Sequence, residues 1–213
     1  KKKGEQAIYY YDELQILGLK EPLKSEYLFK KGYSHFQENQ LDVAASLFFQ
    51  MDDQSSIYYA PGTYYLGHIN YSQEKYATAL KSFQSLSAHE LFGSVVPYYI
   101  VHIYHFQENY DAVIAYGQPF LNDSKVKRRA EISRVVGDAF YKKENYRDAV
   151  PYLNDFMDSR NAKEKEDYYT YGYALYRINK YDQAAEQFSK ISYSLDKIGQ
   201  SALYQMGESY LKA

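Results

Sequence analysis

Apolar residues recur along the chain at helical spacing, in short segments separated by polar residues. In segment 64–71 the apolar positions follow an i, i+3, i+4, i+7 order, and segment 76–86 repeats it. Polar stretches rich in Glu and Asn separate such segments at 37–40, 107–109 and 142–145. Because Asn adopts the left-handed conformation that ends helices, these stretches are expected to be turns. The pattern therefore predicts an all-α chain of short helices.

The helices are predicted to form a repeat whose main marker is glycine. The marker recurs at spacings of 35 or 70 residues: Gly32, Gly67, Gly137, Gly172 and Gly207. The missing member is expected at Val101 or His102. An aromatic residue or Leu follows about nine residues later: Leu41, Tyr76, Tyr110, Tyr146 and Tyr181. A small residue comes three positions further on: Ala44, Ala79, Val113, Ala149 and Ala184.

These markers resemble the tetratricopeptide repeat, whose pattern runs from an aromatic residue through Leu-Gly, Tyr and Tyr-x-x-Ala to Phe. The best match is the series Tyr65-Leu66-Gly67, Tyr71, Tyr76, Ala79 and Phe83, and residues 168–188 repeat it. The third repeat departs from the pattern, since Gly117 stands where an aromatic residue is expected. The resemblance covers almost the whole chain. It implies a right-handed α-α superhelical solenoid of helix-turn-helix repeats.

The register implies one solenoid over residues 1–213. Residues 1–20 are predicted to be the second helix of a preceding repeat, and residues 198–213 the first helix of a truncated one. The complete repeats between them are predicted at 25–58, 59–93, 94–127, 128–163 and 164–197. Solenoids need polar caps and neither end resembles one, so we expect an interior piece of a longer solenoid.

The prolines give a further expectation about helix boundaries. Pro22, Pro61 and Pro97 are predicted at helix starts, where a missing N–H group is harmless. Pro151 lies inside a predicted second helix. It should either kink that helix or mark its true start.

In the tetratricopeptide family the first helices line a concave groove that binds peptides of other proteins. The residues three before, one after and four after each marker fall on one side of the first helix, and we call this set the first-helix stripe. It comprises Phe29, Tyr33, Phe36, Tyr64, His68, Tyr71, Tyr98, His102, His105, Arg134, Asp138, Tyr141, Tyr169, Tyr173, Tyr176 and Tyr204. Packing alone also explains aromatic residues at the first and third positions, so the middle position is more informative about a partner.

Neither of two specific ligand chemistries is expected at this stripe. Chaperone-type members of the family bind a C-terminal carboxylate through Lys and Asn, but the matching positions hold Phe29, Tyr33, Tyr64 and His68. That binding mode is therefore not expected. His68, His102 and His105, followed by Asp138, form the one candidate metal constellation, against which a polar aromatic lining is the simpler interpretation. No metal and no cofactor is predicted.

Composition excludes several functional classes. The 213 residues include 28 Tyr but no Cys and no Trp, which excludes disulfide scaffolds and thiolate chemistry. A net charge of -2 gives no general attraction to nucleic acid, and the basic run 125–129 is expected to be a solvated turn. No apolar run approaches ~18 residues, so membrane insertion is not expected. Phosphate loops and hydrolase signatures are absent, so no catalytic residue is predicted.

The sequence therefore predicts a non-catalytic protein-protein interaction scaffold that binds a peptide or protein in an aromatic-rich concave groove. The alternative is a structural segment of a larger multidomain protein, with any enzymatic domain outside it and homo-oligomer formation through uncapped solenoid ends. The Tyr-rich, Cys-free composition is similar to that of bacterial cell-envelope members of the family. It favours the bacterial periplasm or cell envelope, with the cytoplasm as the alternative.

Overall fold

The computed structural model describes residues 2–14 and 18–213. This part of the chain forms twelve α-helices and one 3-10 helix, without a β-strand, and confirms the predicted all-α helical-repeat fold. The helices are α1 (Lys2–Glu13), α2 (Leu23–Gln37), α3 (Leu41–Phe49), α4 (Tyr59–Ser72), α5 (Tyr76–Ser85), α6 (Val96–Phe106), α7 (Tyr110–Gly117), α8 (Arg129–Lys142), α9 (Tyr146–Met157), α10 (Lys165–Arg177), α11 (Tyr181–Ser189) and α12 (Lys197–Lys212). The 3-10 helix, Gln118–Asn122, follows α7 directly.

The chain divides into two compact units. The N-terminal unit runs to Ile103 and the C-terminal unit runs from Tyr104 to Ala213, so the boundary lies inside α6. None of the described helices is both long enough and apolar enough to cross a membrane.

In the N-terminal unit, helix pairs α2–α3 and α4–α5 pack around a shared core. Leu28, Phe48 and Ile69 are buried together with Ala44. The marker glycine of α2 allows this packing, because a Cβ atom on Gly32 would lie only 2.8 Å from Cε1 of Phe48. The small residue of the second helix is also fully buried, as Ala44 and Ala79 show. The repeated Gly and Ala thus mark the closest contacts between helices.

The C-terminal unit uses the same packing rule. Leu175, Ala184 and Phe188 are buried in one cluster that also includes Leu153 and Ala149. Gly172 on α10 faces the ring of Phe188 on α11, where a Cβ atom would lie 2.9 Å from Cε1. Side chains of α12 complete this cluster, since Ala202 is fully buried in it.

The turns within the helix pairs share one backbone feature, a residue in the left-handed conformation. A residue with positive φ stands seven positions after each of the first five marker positions: Asn39, Glu74, Glu108, Glu144 and Asn179. This spacing assigns the missing marker position to Val101 and not to His102. The expectation that Asn ends the helices is wrong at two turns. Asn109 and Asn145 instead cap the following helices, accepting hydrogen bonds from the N–H groups of Ala112 and Asp148.

The prolines are placed largely as expected. Pro22 is the N-cap of α2, and Pro61 and Pro97 lie in the first turns of α4 and α6. Pro151, however, is the sixth residue of α9, which begins at Tyr146 after the Asn145 cap. The expectation that Pro151 marks the start of that helix is therefore wrong.

Candidate partner-binding surface

A row of aromatic rings runs along α2 in the N-terminal unit. Phe29 and Tyr33 stack nearly parallel with ring centroids 6.1 Å apart, and Tyr33 and Phe36 stack at 6.4 Å. All three side chains are half-buried. Their spacing of four and three residues places them on one side of the helix, as the stripe predicted.

Tyr65 lies on α4, the first helix of the next helix pair, and its ring contacts all three rings of this row. Its ring centroid lies 6.2 Å from that of Phe29, 5.2 Å from that of Tyr33 and 5.0 Å from that of Phe36. The ring also stacks on Phe48 of the core at 5.8 Å. Burial raises the pKa of the Tyr65 hydroxyl. Tyr65 therefore joins the exposed row to the core and keeps its rings in place.

His68 lies in an aromatic environment at the middle position of the stripe. The rings of Phe36, Tyr64 and Tyr99 surround it at centroid distances of 5.9, 6.4 and 5.9 Å. The hydroxyl groups of Tyr64 and Tyr99 lie 3.2 Å apart and form a hydrogen bond. Burial lowers the pKa of His68, and its Nδ1 atom is buried without a hydrogen-bond partner among the described residues. Burial therefore favours the neutral form of the ring.

The remaining stripe residues of the N-terminal unit differ in exposure. Tyr71 contacts the rings of Tyr76 and Tyr99 at 6.1 and 5.3 Å. Tyr98 packs on His102 at 4.4 Å and is half-buried. His102 itself is buried, so this side chain faces the packed interior more than the predicted surface.

The C-terminal unit repeats the aromatic row on α10. Tyr169, Tyr173 and Tyr176 stack with centroid distances of 6.2 Å in both steps. Tyr141 of α8 meets the ring of Tyr173 edge-on at 6.0 Å and that of Tyr146 at 5.5 Å. Burial is the main cause that raises the pKa of the Tyr141 hydroxyl. Stripe positions predicted on two separate helices, α8 and α10, are therefore brought into contact.

Charged stripe residues of this unit are paired with each other or with neighbouring helices. Nε2 of His105 lies 2.5 Å from Oδ2 of Asp138. Nη1 of Arg134 lies 3.6 Å from Oδ1 of Asp167, beside a cavity of about 100 Å³. No group of three or more metal-ligating side chains occurs in the described residues. The His105 and Asp138 side chains thus form a pair, not part of a larger ligand set.

Tyr204, the last predicted stripe residue, lies on α12 and is 65% exposed.

Two residues of this surface, Arg177 and Lys212, were not predicted from the sequence. The Arg177 guanidinium lies 4.4 Å from the Tyr146 ring centroid, and the Lys212 ammonium lies 4.6 Å from that of Tyr176. Both follow a marker glycine by five residues, a regularity that the sequence also shows. The Tyr146 and Tyr181 rings join this surface too, although their position predicted only a turn.

The buried core, the marker contacts and the regular turns define a protein built from repeated helix pairs. Residues 136–194 match the family model of the tetratricopeptide repeat. Together with the fold, this match supports the tetratricopeptide-repeat assignment that the markers predicted.

Several solved structures share the fold at low sequence identity. MamA AMB-1 is 14% identical, with 79% of this chain and 90% of that chain covered and a TM-score of 0.63. YrrB, described as a TPR protein with an unusual peptide-binding site, is 15% identical, with coverages of 98% and 95% and a TM-score of 0.61. The C-terminal part of a TPR repeat-containing protein from Cytophaga hutchinsonii is 12% identical, with coverages of 99% and 94% and a TM-score of 0.62. No curated protein sequence matches the chain significantly.

Proposed function

We propose that the chain is a non-catalytic interaction scaffold whose first-helix stripe binds a peptide or protein partner. The observation that carries this proposal is the pair of aromatic rows on α2 and α10, whose rings stack in register and remain half-exposed. Aromatic side chains offer a large contact area at low entropic cost, and tyrosine adds a hydroxyl group for hydrogen bonding. An ordered, half-exposed aromatic row suits partner binding.

Packing against the core accounts for only part of each ring's surface, since the rings of both rows are half-exposed. The core of each unit is already filled by Phe48, Phe83 and Phe188, which are buried almost completely. The stripe rings lie above this layer and keep part of their surface open. Among proteins of this fold, YrrB is described as having a peptide-binding site, which supports a peptide as the class of partner.

The test is a selection of binders from a random-peptide display library, followed by titration calorimetry of the enriched peptides. Tyr33→Ala, His68→Ala and Tyr173→Ala should each weaken binding of peptides that occupy their own unit. Tyr193→Ala is the matched control, because Tyr193 is a 78% exposed tyrosine outside the stripe. Peptides whose affinity is unchanged by all three stripe substitutions, or reduced equally by Tyr193→Ala, would contradict the proposal.

Self-assembly is the second candidate function, and exposed apolar side chains on the terminal helices favour it. Tyr10 of α1 is 69% exposed, and Leu211 of α12 is 83% exposed. Sedimentation velocity over a hundredfold concentration range distinguishes the two functions, since an interaction scaffold stays monomeric without its partner.

For the cellular compartment, the cysteine-free composition supports the periplasm or cell envelope. Locating an epitope-tagged full-length protein by cell fractionation tests that placement.

A further inference from the structure

Three cations of the C-terminal unit occupy one position of the repeat. Lys142, Arg177 and Lys212 each follow a marker glycine by five residues and stand in the last turn of α8, α10 and α12. The same position in the earlier pairs holds Gln37, Ser72 and Phe106. Those helices end at these residues, and a residue with positive φ follows two positions later in each case. A cation is therefore not needed to end the helix, and the row of three needs another explanation.

Tyrosine rings hold two of these cations in place. Nη1 of Arg177 donates to the hydroxyl groups of Tyr146 at 3.0 Å and Tyr173 at 3.4 Å, while the guanidinium lies over the Tyr146 ring. Nζ of Lys212 donates to the Tyr176 hydroxyl at 2.6 Å. Both Arg177 bonds use Nη1, so the Nη2 edge stays available to a carboxylate within the described chain. The rings pre-order the cations and so lower the entropic cost of binding.

The charges of Arg177 and Lys212 are not neutralised by an ion pair in the described part of the chain. Other cations of the unit are paired with carboxylates, as in Lys165–Asp196, Lys190–Glu186 and Arg134–Asp167. Glu144 and Glu208 act on Arg177 and Lys212 only at longer range, without an ion pair. The hydrogen-bond partners of Arg177 and Lys212 are thus tyrosine hydroxyl groups, whereas those other cations have carboxylate partners. An added carboxylate would gain a charge-assisted hydrogen bond at each cation.

We propose that this row binds an extended acidic segment of a partner protein, an inference that rests on the proposed scaffold function. Helix α10 contacts both α8 and α12, and packed helices lie ~8–10 Å apart. An extended chain advances ~3.3 Å per residue. Acidic side chains at every third residue would therefore meet Lys142, Arg177 and Lys212 in turn. The chemistry recognised is a carboxylate series of fixed spacing on a peptide backbone.

The test uses three fluorescein-labelled peptides of twelve residues. One has Glu at every third position, the second has the same composition with the Glu residues in one block, and the third has Gln in place of Glu. Fluorescence anisotropy gives their affinities at low and high salt. The spaced peptide should bind more tightly than the other two, and its affinity should fall with added salt.

The two double variants are matched in net charge. Arg177→Gln and Lys212→Gln should each weaken binding of the spaced peptide by about 5-fold, and the double variant by at least about 10-fold. Lys180→Gln with Lys197→Gln removes two exposed lysines outside the row and should leave the affinity unchanged. Because all four side chains are exposed, the thermal melting curves should stay unchanged, which separates lost binding from lost folding.

Specific outcomes overturn the inference. The inference is wrong if Lys180→Gln with Lys197→Gln weakens binding as much as the double variant does. It is also wrong if the spaced and block peptides bind equally well. Either result would show general charge attraction and not recognition by the three ordered cations. Oligothymidine binding with the same dependence on Arg177 and Lys212 would show a general polyanion site. If the spaced peptide fails while display-selected peptides still bind through the aromatic rows, this inference is wrong and the scaffold function stands. If both kinds of peptide fail, both proposals are wrong.

Discussion

The marker position offers a direct test of the packing rule, because two glycines share the register but differ in surroundings. At Gly172 of α10, an added Cβ atom would lie 2.9 Å from Cε1 and 3.1 Å from Cδ1 of Phe188. At Gly207 of α12, an added Cβ atom would have nothing within 4 Å. The same substitution, Gly→Ala, is therefore predicted to change stability in opposite directions at the two positions.

The magnitudes follow from the two environments. Carbon atoms in contact prefer separations of about 3.5–4.0 Å, so Gly172→Ala requires Phe188 to move. The Phe188 ring is fully buried and packs on Tyr169 at 5.7 Å, and Cβ of Gln187 lies 3.2 Å from the new atom. Overpacking of this kind costs about 1–3 kcal/mol, offset by about 0.4–1 kcal/mol from replacing a helical glycine. We expect Gly172→Ala to destabilise by about 1–2 kcal/mol and Gly207→Ala to stabilise by about 0.5–1 kcal/mol.

Urea unfolding followed by circular dichroism at 222 nm measures both free energies, and thermal melting gives an independent value. For a domain of this size, about 1 kcal/mol corresponds to a change in Tm of about 2–4 °C. The reasoning is refuted if Gly172→Ala is as stable as the wild type. It is also refuted if Gly207→Ala is destabilised as strongly as Gly172→Ala, because the cost would then come from the helix and not from the contact.

Two further predictions concern pH. Burial lowers the pKa of His68 below 6.5, so the unfolded chain takes up a proton that the folded chain excludes, and stability should fall as pH drops below 6.5. Urea titrations at pH 7.5 and 5.5 should show this loss in the wild type and a smaller one in His68→Phe, and an equal loss in both would contradict the assignment. The Lys165 ammonium chiefly lowers the pKa of Asp196 from 3.8 to about 2, so its contribution is complete above pH 3.8 and lost as pH falls through about 2. Asp196→Asn keeps the acceptor for the Gly199 N–H group but should flatten the stability profile over this window, and an unchanged profile would contradict the assignment.

Much of the fold was predictable because the residues at the closest contacts recur in one register. Gly32 against Phe48 and Gly172 against Phe188 show that a marker sixteen residues before an aromatic ring is a packing pair. Such pairs are short-range in sequence and repeat identically, so spacing alone reveals them. The turns were located for the same reason. The roles of the turn residues were not predictable, since Glu144 adopts the left-handed conformation and Asn145 is the N-cap of α9.

The site was only partly predictable. The rows on α2 and α10 follow from helical spacing, because their members lie on one helix. The Tyr65 ring that supports the first row, and the contact of Arg177 with Tyr146, join different helices. These contacts depend on how each side chain is oriented after the helices pack. The equal spacing of Lys142, Arg177 and Lys212 is visible in the sequence. The tyrosine partners of Arg177 and Lys212 are visible only in the structure.

The division between Phe and Tyr in this chain follows the depth of each position. The fully buried aromatic positions hold Phe83 and Phe188, and no described tyrosine is buried to that degree. The two most buried tyrosines, Tyr27 and Tyr171, each donate a hydrogen bond, to the Tyr11 carbonyl at 2.9 Å and to Oδ1 of Asn154 at 2.6 Å. A buried hydroxyl without a partner is costly, which explains why the hydroxyl groups of these two tyrosines are both hydrogen-bonded. The high tyrosine content therefore reflects many half-buried ring positions, which is the property that a surface ordered for binding requires.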